Sequence, residues 1–318
     1  MESLVTSELI LVVAGLIGLL IASQLIIRGT LHIADHFKLS HLFVGLTIIS
    51  LGTTLPELVV SLTGAFHKVA GIETSGLIAG NILGSTISQI SLMLGLASLT
   101  GILVITKKQL NRDGIMLLGA VVLFFLVSID GVISKFDGII LILVYLIYFL
   151  SLQREEKIFS KTKNNQVKLY MVWVVVSVLA GFIVLFYSSN LIIDNALVLA
   201  DRWNVRQSLI GILLIGFGTS LPELSVAFSA ASQKALKLTV GNLIGSNIID
   251  LLLITGLTGT LSGINISRQL LFFDVPALFV ISLTAIILFS TQKRLIKKEG
   301  LALILLFGVY VGFKLFGF

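Results

Sequence analysis

The chain has no cysteine, only three prolines, and little charge: Asp, Glu, Lys and Arg make up 12% of its 318 residues. The missing cysteines exclude disulfides and thiolate metal sites; they say nothing about compartment. A soluble domain carries about 25% charged residues. This chain falls far below that and has a mean hydropathy of +1.08, which excludes an ordinary water-soluble globule and points to a membrane protein. A formal charge of +6 could suggest nucleic acid. The basic residues, however, sit in short loops between apolar runs rather than in a folded patch, so no nucleic-acid partner is expected. The N-terminal MESLVTSELI lacks the basic stretch of a cleaved signal, so the first apolar run reads as a retained span.

A spanning helix needs about 20 apolar residues. Ten runs qualify, at roughly 8–27, 41–66, 76–102, 114–130, 137–152, 169–188, 207–232, 240–262, 271–291 and 300–317. The one markedly polar connection, Gln153 to Lys168, separates five runs from five. Loops on one side hold 16 of the 22 Lys and Arg residues. The positive-inside rule places that side, with the 153–168 loop, in the cytoplasm and both termini outside the cell membrane.

The halves repeat. At an offset of 166, residues 24–65 match 190–231 at 16 of 42 positions. At an offset of 161, GNILGSTISQ from Gly80 matches GNLIGSNIID from Gly241. Residues 1–152 form the first half, with its repeat core at about 41–102. A linker follows at 153–168, and the second half is 169–318, with its core at about 207–262. Five is odd, so the second half enters the membrane from the opposite side. The expected fold is an all-α membrane protein of ten transmembrane helices in two inverted five-helix repeats, an arrangement common in secondary transporters, which bind ions between the repeats.

Two of the three prolines fall in one duplicated motif, LGTTLPEL at 51–58 and FGTSLPEL at 217–224. A proline inside a helix frees a backbone carbonyl. In a membrane that is tolerated only where protein or a hydrated cavity covers it. Thr53 and Glu57 are four residues apart, so they share one helix face, as do Thr219 and Glu223. In the next run of each half, Ser85 with Gln89 and Ser246 with Asp250 repeat that spacing. Four helices thus present a hydroxyl beside a carboxyl or amide. Together they make an all-oxygen cage suited to hard cations such as Ca²⁺ and Na⁺. Glu57, Glu223 and Asp250 lie deep in apolar runs with no Lys or Arg at matching depth. Charge there costs roughly 2.5–3.5 kcal/mol each, so a cation or a proton must neutralise it.

Plainer roles stay open. Glu57 and Glu223 could be protonated carboxyls satisfied inside the bundle. Asp250 could pair with Asn247, Gln89 could bridge helices, and Ser85 and Ser246 could simply allow close packing. Packing is also the default role of Gly80/Gly84 and Gly241/Gly245.

GTTLPE and GTSLPE, each followed by GNxxGS, resemble the two α-repeats of the calcium/cation antiporter superfamily, and within it the prokaryotic sodium/calcium exchangers. The resemblance implies that Glu57 and Glu223 are the central Ca²⁺-binding carboxylates. Thr53 and Thr219 are implied as calcium-coordinating positions, with Thr54 and Ser220 as adjacent hydroxyls. Ser85 and Ser246 match outer sodium-site hydroxyls, and Ser50 and Gly216 match positions whose carbonyls line those sites. Gln89 and Asp250 match the midplane pair, where the family usually has Asn or Asp at the position of Gln89. The implied activity is electrogenic exchange of Na⁺ for Ca²⁺ by alternating access, with both ions as substrates, no cofactor and no obligatory protein partner. A proton/calcium antiporter is the nearest alternative and a cation channel a more distant one. An intramembrane aspartyl protease needs two facing aspartates, whereas the deep pair here is Glu–Glu, so no enzyme is expected.

Overall fold

A computed structural model describes residues 2–36, 50–155, 170–232 and 236–316. The expected linker lies almost wholly outside the described residues, as does the start of the run at 41–66. The described residues are helical nearly throughout. The principal helices are α1 (Glu2–His36), α2 (Leu55–Val69), α3 (Ser75–Ser88), α4 (Ile115–Val127) and α5 (Lys135–Glu155). The second half supplies α6 (Tyr170–Arg202), α7 (Leu221–Ser232), α8 (Leu236–Ile248), α9 (Val275–Gln292) and α10 (Lys297–Phe316). Among the described residues, nine helical segments are long and apolar enough to cross a membrane. The tenth expected run is represented only by its described part, Ser50–Val69. Large apolar side chains such as Ile115, Ile147 and Trp173 face outward, as they would toward lipid.

Four two-residue strands display the inverted relation of the halves. β1 (Leu103–Val104) pairs antiparallel with β4 (Arg294–Leu295), and β2 (Val132–Ile133) with β3 (Ile264–Asn265). β1 and β3 are equivalent at the 161-residue offset read from the sequence. Yet β1 precedes α4 and the partner of β3 follows it, so the two ribbons lie at opposite ends of α4. Equivalent loops at opposite ends are what an inverted repeat requires.

The halves repeat in finer detail. α3 runs into a π-helical turn at Gln89–Met93, and α8 into one at Ile249–Ile254. π turns at Leu110–Gly114 and Leu270–Asp274 lead into α4 and α9. Each of these last turns ends on or beside an aspartate bonded to a tyrosine: Tyr148 Oη donates to Asp113 at 3.0 Å, and Tyr310 Oη to Asp274 at 2.6 Å. Arg112 pairs with Asp113, and the buried Lys314 with Asp274 at 2.6 Å.

Two apolar cores result. The larger joins α3–α5 to α8–α10. The smaller joins α1 to α6 through Leu16, Leu19, Leu185 and Ile192, with Val60 and Ile215 at its margin. Between the motif-bearing elements, α3 crosses the turn Gly211–Gly216 backbone to backbone. A Cβ on Gly84 would lie 2.5 Å from the Ile212 carbonyl oxygen and 2.6 Å from its Cα. Neither can retreat as a side-chain tip would. Gly84→Ala is therefore expected to destabilise the protein by about 1–3 kcal/mol, read as a lower unfolding temperature in detergent; an unchanged temperature would refute the close crossing.

Candidate cation site

The two motifs break their helices in the same way. Thr54 leaves helical geometry at φ −82°, ψ 2°, and Pro56 then sits in the first turn of α2. Ser220 does so at φ −86°, ψ 5°, with Pro222 in the first turn of α7. A first-turn proline sacrifices no bond that its helix uses. The break turns Glu57 and Glu223, one turn on, toward the middle of the bundle. Ser50 opens the preceding turn Ser50–Thr53, and only its backbone is described. Gly216 closes the π turn Gly211–Gly216 ahead of the second motif.

Thr53, Thr54, Glu57, Ser85, Gln89, Thr219, Ser220, Glu223, Ser246 and Asp250 are all buried. Hydrogen bonds cross between the halves at their centre. Ser220 Oγ donates to Glu57 Oε1 at 2.8 Å and receives Gln89 Nε2 at 3.1 Å. Asn247 Nδ2 donates to Gln89 Oε1 at 3.0 Å, and Ser85 Oγ to Asp250 Oδ2 at 3.0 Å. Thr219 Oγ1 donates to Asn81 Oδ1 at 3.1 Å, while Asn81 Nδ2 reaches the Glu57 carbonyl at 3.2 Å and Ser61 Oγ at 3.0 Å.

What these bonds leave over defines the chemistry. Among the described residues, Glu57 Oε2, both carboxyl oxygens of Glu223, Ser246 Oγ, Asn247 Oδ1 and Asp250 Oδ1 are buried without a hydrogen-bond partner. The Thr53 hydroxyl adjoins the Glu223 carboxyl. The three carboxyls repel one another, and no described Lys, Arg or His forms an ion pair with them. Buried polar atoms are normally satisfied, and unpaired buried charge is strongly unfavourable. A set of orphaned oxygens around mutually repelling carboxyls therefore fits a cation. Among the described residues no three His, Asp or Glu side chains come close enough to chelate an ion alone. Hydroxyl, amide and carbonyl oxygens would have to complete its shell.

The sequence profile of the sodium/calcium exchanger protein family matches residues 7–152 and 173–316. The chain belongs to this family. The sodium/calcium exchanger MaX1 of Methanosarcina acetivorans is 25% identical over 97% of this chain and 98% of its own length. An uncharacterized membrane protein of Methanocaldococcus jannaschii is 32% identical over 74% of this chain and 76% of its own. A solved structure of the sodium-calcium exchanger NCX_Mj, soaked with Na⁺ and Sr²⁺, superposes with a TM-score of 0.67 at 27% identity, covering 97% of this chain and 99% of that one.

Within this family frame, several contacts were not legible beforehand. Asn247 does not pair with Asp250; it donates to Gln89 and to the Leu243 carbonyl. Asn81 ties Thr219 to the backbone of Glu57; its recurrence as Asn242 in the second GNxxGS was the signal available. A depression of about 380 Å³, lined by Glu73, Arg206, Gln207 and Asn265 among others, lies over the end of α3. Burial alone would raise the Glu73 carboxyl. Its hydrogen bonds from Ser75 and Asn265 and the nearby Lys68 outweigh that and hold it below the usual carboxylate range.

Proposed function

We propose that the chain exchanges Na⁺ for Ca²⁺ across the cell membrane, with both ions competing for the oxygens between the two motifs. The observation that carries this reading is the set of six orphaned oxygens, contributed by Glu57, Glu223, Ser246, Asn247 and Asp250. Glu57 and Glu223 serve as the central ligands. Thr53, Thr219 and the carbonyls at Ser50 and Gly216 complete the shell, with Thr54, Ser220, Ser85 and Gln89 lining it. The family match and the likeness to proteins named as exchangers support the choice of ions.

The same physics supplies obligatory coupling. A loaded site is electrically compensated and can change its access. An empty one would carry bare carboxylates through an occluded state, where their desolvation is costly. One Ca²⁺ neutralises fewer of three acids than several Na⁺ would, so exchange moves net charge. The 153–168 loop lies in the cytoplasm and both termini outside, following the distribution of Lys and Arg.

Proteoliposomes loaded with Na⁺ and diluted into Na⁺-free medium should take up ⁴⁵Ca²⁺. Uptake should vanish without internal Na⁺ and should respond to membrane potential. Uptake driven equally by a pH gradient without Na⁺ would move the chain to proton coupling. Flux that fails to saturate at carrier rates would indicate a channel.

A further inference from the structure

Three polar positions on α3 and its π turn correspond at the 161-residue offset to three on α8 and its π turn: Ser85 to Ser246, Thr86 to Asn247, and Gln89 to Asp250. Their hydrogen bonding is not symmetrical. On the first side every group is committed. Ser85 donates to Asp250, Thr86 donates to the Ile82 carbonyl at 2.6 Å, and Gln89 uses both ends of its amide. On the second side Ser246 Oγ, Asn247 Oδ1 and one oxygen of Asp250 are all open.

The direction in which Asn247 faces is not free. A carbonyl oxygen can only accept, so the amide group 2.5 Å from the Leu243 carbonyl must be the NH₂. Its second proton goes to Gln89 Oε1 at 3.0 Å. The reversed amide would set oxygen against oxygen at both contacts. Oδ1 is thereby turned away from both, in a side chain with 0% exposure and no partner among the described residues. Asn247 and Asp250 are three residues apart, and Ser246 and Asp250 four, so the three open groups share one side of the helix. The π turn that starts at Ile249 lies within this set, and such turns recur at functional sites.

We propose that Asn247 Oδ1 is a direct, neutral ligand of the transported Ca²⁺, and that Gln89 is the strut that holds it in place rather than a ligand. The inference rests on the exchanger reading and deepens it: the cation sits toward α8, and an amide from the second half supplies the neutral oxygen that Gln89 has already committed. Asn side-chain oxygens are ordinary ligands for Ca²⁺. Gln89 presents its NH₂ toward Ser220, and an amide donor does not coordinate a cation.

The test is direct Ca²⁺ binding to the purified full-length protein by isothermal titration calorimetry, in the wild type, Asn247→Ala and Asn247→Asp. A ligand role predicts roughly tenfold weaker binding in Asn247→Ala, the size of one lost charge-assisted contact. It also predicts that Asn247→Asp, which regains an oxygen, recovers that loss. A merely structural role predicts the reverse for Asp, which has no proton for Leu243 or Gln89 and should do no better than Ala. Binding by Asn247→Ala within twofold of wild type, or no recovery in Asn247→Asp, overturns the proposal. Should Asn247→Ala not fold, Asn247→Asp against wild type decides: affinity at least equal to wild type supports the ligand, and a tenfold loss overturns it. A wild type that binds no Ca²⁺ overturns the exchanger reading and this proposal together.

Discussion

Glu223→Gln is expected to abolish Na⁺-dependent Ca²⁺ uptake while making the ion-free protein more stable. Both carboxyl oxygens of Glu223 are buried without a hydrogen-bond partner among the described residues, and the side chain is 0% exposed. In the absence of ions Glu57 and Asp250 repel this group, and desolvation of its charge adds to the cost. A neutral amide of the same shape removes that repulsion, so the ion-free unfolding temperature should rise. The same change replaces one ligand oxygen by an NH₂ that faces a cation with the wrong polarity. Ca²⁺ binding should weaken by at least about hundredfold, equivalent to ~3 kcal/mol. Thermal unfolding with and without Ca²⁺ separates the two effects. Wild type should be stabilised by Ca²⁺ through mass action; Glu223→Gln should start higher and not respond. If the variant were instead less stable without ions, Glu223 would be a hydrogen-bonded structural carboxyl, and the cation site would lose its centre.

Lys314→Met is expected to cost about 3–5 kcal/mol of stability, the effect of leaving one member of a buried ion pair alone. Lys314 Nζ lies 2.6 and 2.8 Å from the two oxygens of Asp274, and the side chains are 1% and 0% exposed. Tyr310 adds a further bond to the same carboxyl. Without the ammonium, Asp274 must carry its charge in an apolar surrounding or take up a proton. Adding Asp274→Asn should return most of the loss, because it removes the stranded charge. A double-mutant cycle read by thermal unfolding in detergent measures this. Additive losses would show that the two side chains do not act as a pair. The equivalent Asp113 in the first half is partnered by its neighbour Arg112, whose side chain is 15% exposed, so Arg112→Met should cost less.

The motif chemistry was legible because it breaks the rules of its surroundings. Prolines and carboxyls inside lipid-soluble runs have few innocent explanations; their duplication exposed the repeat, and the odd number of runs in each half made it an inverted one. Glu57, Glu223, Ser85, Ser220 and Asp250 do meet across the two halves. The pairing of Asp274 with Lys314 was hidden by distance, since 40 residues separate them and each lies near the end of its own run, where a charge raises no suspicion. The bond of Asn247 to Gln89 was hidden differently. A single amide beside an aspartate suggests a local pair, and only the crossing of α3 with α8 supplies the competing partner. The number of spanning helices also stays at nine among the described residues, because the run beginning at 41 lies partly outside them.

The two short ribbons have a mechanical consequence. Each ties a loop of one half to a loop of the other, β1 to β4 at one face and β2 to β3 at the opposite face. The repeats therefore form a closed linkage rather than two jaws on a hinge. Opening either face by swinging the halves apart would strip backbone hydrogen bonds. The component left outside this linkage is the α1–α6 pair, which has its own core. It meets α2 through side chains, Thr63 with Ser189 at 2.8 Å and His67 with Asp194 at 3.2 Å. Side-chain contacts can be exchanged one for another as one surface glides over the next, so sliding that pair would leave both ribbons intact, whereas parting the halves would not.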